Sequence, residues 1–168
     1  DCEDLPALLA KAVEVNAKLV YFANPDNPMG SWRAGDDILS EFDAIPEGCV
    51  LVLDEAYVEL APKGTATPVD INDPRVIRMR TFSKAYGLAG MRVGYALAEA
   101  GLITAFNKIR NHFGMSRVSQ AAALAALEDQ DYLSATVVRI ADSRDRIGQI
   151  ARDNGLTPLP SATNFVTI

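Results

Sequence analysis

The sequence predicts an α/β fold, a mostly parallel sheet with helices on both faces and a last strand that runs antiparallel. Three observations carry that reading. Apolar runs of strand length recur at Leu19–Phe22, Val50–Leu53, Val76–Arg80 and Arg92–Leu97, and runs apolar on both sides belong to strands covered on both faces. Stretches with a 3.6-residue apolar period separate the early runs, the alternation expected of a parallel sheet. The third and fourth runs are joined by a loop with no room for a crossover helix, so that pair is antiparallel.

Taken in order, Asp4 caps a first helix with Pro6 in its first turn, and Leu8, Leu9, Ala12 and Val13 form its apolar stripe. The strand Leu19–Phe22 empties into Asn24-Pro-Asp-Asn-Pro-Met-Gly30, a run of turn formers. A helix over 36–45 places Ile38, Leu39, Phe42 and Ile45 on one side and ends at Pro46-Glu-Gly48. The strand Val50–Leu53 delivers Asp54-Glu-Ala-Tyr57 at its carboxyl end. Residues 61–74 hold three prolines and little periodicity, so they read as a loop. Helices then dominate. One covers 99–110 with Leu102, Ile103, Phe106 and Ile109, and another, capped by Ser116, covers 117–128. The longest runs over 130–153 with Leu133, Val137, Ile140, Ile147 and Ile150, and stops at Asn154-Gly155. Leu156–Ile168 reads as two short strands opening a further unit, and the chain reads as a piece of a longer protein.

Bulk properties narrow the function classes. The 168 residues suffice for a substantial core, and 49% apolar with 23% charged residues is an ordinary soluble balance. A net charge of −6 without a Lys/Arg run argues against a nucleic-acid surface but leaves room for a local basic pocket. Cys2 and Cys49 form no CxxC pair, which indicates neither a disulfide framework nor a zinc site, and Cys49 reads as a small buried hydrophobe. No apolar run reaches membrane-span length and no signal-peptide pattern is present, so the expectation is an intracellular, cytoplasmic protein.

The chemistry concentrates in Thr81-Phe-Ser-Lys-Ala-Tyr-Gly-Leu-Ala-Gly-Met-Arg-Val-Gly-Tyr95. Lys84 lies close to the hydroxyls of Thr81 and Ser83, with Arg92 eight residues on and Gly87, Gly90 and Gly94 spaced through the turn. An amine can bond an aldehyde while hydroxyls and a guanidinium take a phosphate. The alternative is a surface lysine and arginine on a glycine-rich loop. Ligands of open α/β sheets bind beyond the carboxyl ends of the strands, so Asn24–Gly30, Asp54–Tyr57 and Thr81–Arg92 should converge. Together they supply an amide, a carboxylate, a phenol, an amine, hydroxyls and a guanidinium. This set suits pyridoxal phosphate, whose protonated ring nitrogen needs a carboxylate partner.

These three blocks, in this order and with 27 residues from Asn27 to Asp54 and 30 from there to Lys84, resemble the signature blocks of fold-type I aminotransferases, nearest the histidinol-phosphate aminotransferase branch. The resemblance implies that Lys84 bonds the cofactor aldehyde and later moves the substrate proton. It further implies that Asp54 pairs with the ring nitrogen, that Tyr57 and Asn27 bond the ring oxygen, and that Thr81, Ser83 and Arg92 hold the phosphate. It implies a large cofactor domain over 1–130 and the beginning of a small α+β domain over 131–168, with Asn164-Phe165 near its start. A homodimer is implied, with a small-molecule amino donor and a 2-oxo acid such as 2-oxoglutarate reacting in a ping-pong scheme. Histidinol phosphate is the first donor, an aromatic amino acid the second, and decarboxylation of a phosphorylated amino acid the third. A domain that captures the cofactor without turnover is the alternative outside enzymes.

Met29 stands where the family usually has threonine. The family's glycine-type phosphate loop, its ring-stacking aromatic, a tyrosine lent across the dimer and the arginine for the substrate carboxylate have no counterpart in these residues. Tyr86 and Tyr95 read as packing, Glu55 as structural and His112 as structural. Trp32 reads as packing over the Pro28-Met-Gly30 turn. Arg110 and Arg117 read as solvated helix ends, and Arg139, Asp142, Arg144, Asp145 and Arg146 as the wet face of the long helix.

Overall fold

The computed structural model describes residues 3–168, and Cys2 lies outside them. Four strands form one sheet in the order of the chain: β1 (Leu19–Ala23), β2 (Val50–Asp54), β3 (Val76–Thr81) and β4 (Gly94–Leu97). The pairs β1–β2 and β2–β3 are parallel, and β3–β4 is antiparallel, as the short connection requires. Gly94 permits that closure, because a Cβ there would stand 2.9 Å from the Arg80 carbonyl oxygen.

Alternation along the strands separates two faces. Val20, Phe22, Leu51, Leu53 and Val76 point one way into the main core. Leu5, Leu9 and Ala12 of α1 (Leu5–Glu14) close over it, with Ile38 of α2 (Gly35–Ser40) and then Phe42 and Ile45. Cys49 is buried here. The opposite face carries Leu19, Tyr21 and Met79, all exposed among the described residues, together with Ile77, which is buried.

Several elements differ from the sequence reading in detail. Asp4 does cap α1, its Oδ1 accepting the Ala7 N–H at 3.1 Å. The buried stripe is nevertheless Leu5, Leu9 and Ala12, and Leu8 and Val13 flank it in solvent. The helix expected over 36–45 breaks at Glu41 into α2 and a 3₁₀ turn, Phe42–Ala44. Tighter winding carries Phe42 and Ile45 round to join Ile38 in the core, while Leu39 stays exposed.

Three helices follow β4. None of α3 (Ala100–Ile109) is buried, and Phe106 and Ile109 of its expected stripe face outward. Ser116 caps α4 (Arg117–Glu128) by accepting the Ser119 N–H at 3.0 Å. The long α5 (Gln130–Asp153) ends with Gly155 at φ +75° and Leu156 N–H donating to the Ala151 carbonyl, a left-handed stop. Leu133, Val137 and Ile140 pack on Tyr57, Leu60 and Ala85, whereas Ile147 and Ile150 do not turn inward. Arg144 leaves the wet face. Its guanidinium donates to the Thr163 carbonyl at 2.9 Å, and burial pulls its pKa below the ordinary arginine value.

No strand forms over 156–168. The two expected there are replaced by an irregular segment that bonds to a loop instead of a sheet edge. Ala162 N–H donates to the Gly30 carbonyl at 2.8 Å, and the Thr167 hydroxyl to the Pro28 carbonyl at 2.6 Å. No helix among the described residues is long and apolar enough to cross a membrane.

Candidate active site

The three loops leave the carboxyl ends of β1, β2 and β3 and meet at one end of the sheet. Asn24 and Asp26 shape the first. Asn24, buried, accepts the Arg33 N–H at 2.8 Å and donates to the carbonyls of Arg33 and Thr65. Asp26, also buried, accepts the Ser31 hydroxyl at 3.0 Å. With those two committed to the loop, Asn27 is free to reach outward, and its amide donates to the Tyr57 phenol oxygen at 3.2 Å.

Tyr57 is buried, its ring held edge-on by Phe165 with centroids 5.7 Å apart. Over the same ring stands Lys84, with Nζ 4.9 Å from the centroid, a cation–π distance. Asn27, Tyr57 and Lys84, separate in sequence, are thus brought together. On the next strand Asp54 ends β2, and its Oδ1 accepts the Ala56 N–H at 2.9 Å while Oδ2 accepts the Tyr21 phenol. Burial first, and then the Asp54 carboxylate, push the Tyr21 phenol above the ordinary tyrosine value.

Thr81, Ser83 and Arg92 line a cleft with Met79, Gly94 and Tyr95, and it adjoins Asp54 through Met79, its partner in the sheet. The Thr81 hydroxyl accepts the Ser83 N–H at 3.0 Å, a local turn that sets Ser83 beside Lys84. Arg92 occupies the left-handed region at φ +54° and donates to the Ala89 carbonyl at 2.8 Å. A non-glycine residue in that region is uncommon, and it marks a backbone held by its surroundings.

Beneath the site lies an ionic knot. Glu55, 1% exposed, accepts Arg78 at 2.8 Å and Arg80 at 2.9 Å, and also the Thr67 N–H. For Arg80, burial acts downward most strongly, but the Glu55 charge and bond outweigh it and the guanidinium ends above its usual value. The knot ties the end of β2 to β3 and so fixes Asp54 relative to Thr81. Tyr86 and Tyr95 pack with Phe82, as read from the sequence. His112 is exposed rather than built into the packing, and so are Arg110 and Arg117.

Two contributors were not legible as site residues. Tyr21 looked like one apolar position of a buried strand; only the parallel register, which pairs Ala23 with Asp54, places it on the carboxylate's face. Asn24 looked like one turn former among several.

The fold and this loop geometry describe a class before they describe a reaction: an open sheet bearing a lysine and its polar partners at the strand ends. Residues 1–168 match the family model for aminotransferase class I and II, and the chain belongs to that family. Among similar proteins, the histidinol-phosphate aminotransferase of Bacillus velezensis is 38% identical over 168 residues, covering 98% of this chain and 46% of the relative. The aromatic amino acid aminotransferase of Mycobacterium sp. (strain KMS) is 39% identical over 167 residues, covering 97% and 46%. The crystal structure of histidinol-phosphate aminotransferase from Sinorhizobium meliloti in complex with pyridoxal-5′-phosphate superposes with a TM-score of 0.94 at 59% identity, over 98% of this chain and 46% of that one. The chain therefore spans about half the length of the relatives it matches.

Proposed function

We propose that these residues form the lysine-bearing part of a pyridoxal-phosphate-dependent aminotransferase, with histidinol phosphate as the amino donor and 2-oxoglutarate as the acceptor in a ping-pong scheme. The observation that carries the proposal is the convergence of the Asn27 amide, the Tyr57 phenol and the Lys84 amine, with Asp54 on the adjacent strand end and Thr81, Ser83 and Arg92 in the adjoining cleft. That donor set fits the cofactor group by group. Lys84 would bond its aldehyde, Tyr57 and Asn27 its ring oxygen, Asp54 its ring nitrogen, and Thr81, Ser83 and Arg92 its phosphate. When bound, pyridoxal phosphate supplies an aldehyde for the substrate amine and a ring that takes up the electron pair left on the substrate's α-carbon.

The chain's own residues then do the rest. Lys84 would serve as the base that takes the proton from the substrate α-carbon and returns it to the former aldehyde carbon, two bonds further on. Asp54 supplies the negative charge that keeps the ring nitrogen protonated. Tyr57, clamped between Asn27 and Phe165, holds its oxygen still, which limits reorganisation during the reaction.

The 59% identity with the Sinorhizobium meliloti enzyme favours histidinol phosphate. The mycobacterial relatives at 39% identity support an aromatic amino acid as a second reading. We read residues 1–130 as part of the large domain and 131–168 as the opening of the small one, and the protein as a homodimer.

The test is spectroscopic. The full-length protein should carry a visible absorption band that moves when histidinol phosphate is added and returns with 2-oxoglutarate. Lys84→Ala should lose the covalent chromophore, keep weaker cofactor binding through Asp54 and Arg92, and turn over about 10⁴-fold more slowly. Turnover by Lys84→Ala at the parent rate would overturn the proposal. A band that no amino donor moves would mean capture without catalysis.

A further inference from the structure

We propose that Tyr21 is a positioning residue for Asp54, its phenol fixing the direction of the carboxylate that would meet the cofactor's ring nitrogen. This rests on the pyridoxal-phosphate reading of the site. A carboxylate at a strand end bonded through one oxygen can still swing about its side-chain torsion. Asp54 is held through both. Oδ1 accepts a backbone N–H from its own chain two residues on, and Oδ2 accepts a phenol from the neighbouring strand. An ionised carboxylate offers about four acceptor positions, so two remain for an incoming N–H.

The register makes this pairing a property of the sheet. Tyr21 pairs with Val52 and Ala23 with Asp54, and residues two apart share a face, so the phenol lies diagonally across from the carboxylate. The phenol also remains a donor throughout the working range, because burial and the neighbouring carboxylate disfavour its ionisation.

The experiment uses the full-length enzyme loaded with pyridoxal phosphate carrying nitrogen-15 in its ring, in the parent, Tyr21→Phe and Asp54→Asn forms. In Tyr21→Phe the ring-nitrogen resonance should move toward the unprotonated position and kcat should fall about 10-fold, with the KM for the amino donor changed by less than about twofold. Parent-like resonance and kcat in Tyr21→Phe, while Asp54→Asn displaces both, would overturn the role of Tyr21 and leave the cofactor reading standing. A resonance unmoved in Asp54→Asn would remove the Asp54 pairing and, with it, this inference. Tighter cofactor binding by Tyr21→Phe at unchanged kcat would show that the phenol only fills the place of the ring, which also overturns it. If Tyr21→Phe fails to fold, 3-fluorotyrosine at position 21 keeps the shape and strengthens the donor. The resonance must then shift, and an unchanged one counts against the proposal.

Discussion

Leu53 and Asp54 follow one another on β2, yet one is sealed beneath α1 and α2 while the other stands at the edge of the open face beside Tyr21. The strand's two-residue period makes the difference, and it runs the length of β2. Leu51 and Leu53 supply the core, Val52 and Asp54 the open face, and Glu55 turns back under the sheet to anchor the arginines of β3. Stability and chemistry are thus assigned to alternate residues of one short strand. A substitution there should damage one property and spare the other.

Crossed substitutions at the two neighbours break that division if it is wrong. Asp54→Ala should lower turnover of the full-length enzyme about 10³-fold, equivalent to roughly 4 kcal/mol, with a smaller loss of cofactor affinity and little change in a urea melt. Leu53→Ala should do the reverse, costing about 3 kcal/mol of stability through lost burial and an unfilled cavity. Turnover measured at a temperature where the Leu53 variant is folded should stay near the parent value. If both variants lose stability equally, the faces are not separable in the way described.

Glu55 sits where the two roles meet, and its removal sharpens the comparison. Glu55→Ala would leave Arg78 and Arg80 beneath the sheet without their shared anion. Removing one partner of a buried ion pair costs about 3–5 kcal/mol, and the partial exposure of the arginines places this case near the lower end. A denaturant melt checks the size. The Arg78→Met, Arg80→Met, Glu55→Leu triple variant should recover much of the loss, because the hydrophobic replacement removes the stranded charges. Its turnover should remain below the parent's, since the tie between Asp54 and Thr81 is gone.

The sequence made the parallel sheet, the antiparallel last pair and the candidate lysine loop legible, because each rests on short-range signals: apolar runs, connection length and glycine spacing. What it hid depends on register or on tertiary surroundings. Tyr21 becomes a partner of Asp54 only once Ala23 is paired with that residue. Leu8 and Val13 satisfy a helical period as well as Leu5 does, and which arc is buried is decided by the sheet beneath. At 156–168 the apolar character was legible but the irregular path was not, since it shows only where Ala162 and Thr167 bond the Gly30 and Pro28 carbonyls. Arg144 is a surface residue by composition, and its bond to the Thr163 carbonyl shows only in the folded chain.

The smallest effect expected belongs to Glu59, on the Arg80 side of the ionic knot. Its carboxylate lies 3.7 Å from Arg80, yet burial raises its pKa above the ordinary 4.5, the pull of its own backbone and of Arg80 only partly offsetting this and Glu55 adding to it. For an acid shifted upward, the unfolded chain gives up its proton first as pH rises, so the folded state holds the extra proton and stability declines through the interval that begins near 4.5. Glu59→Gln has no proton to lose there. Urea melts of parent and variant between about pH 4 and pH 7 should therefore show the variant gaining on the parent as pH rises. A difference that stays flat, or one that moves in the parent's favour, would mean that the Arg80 charge rather than burial governs this carboxyl.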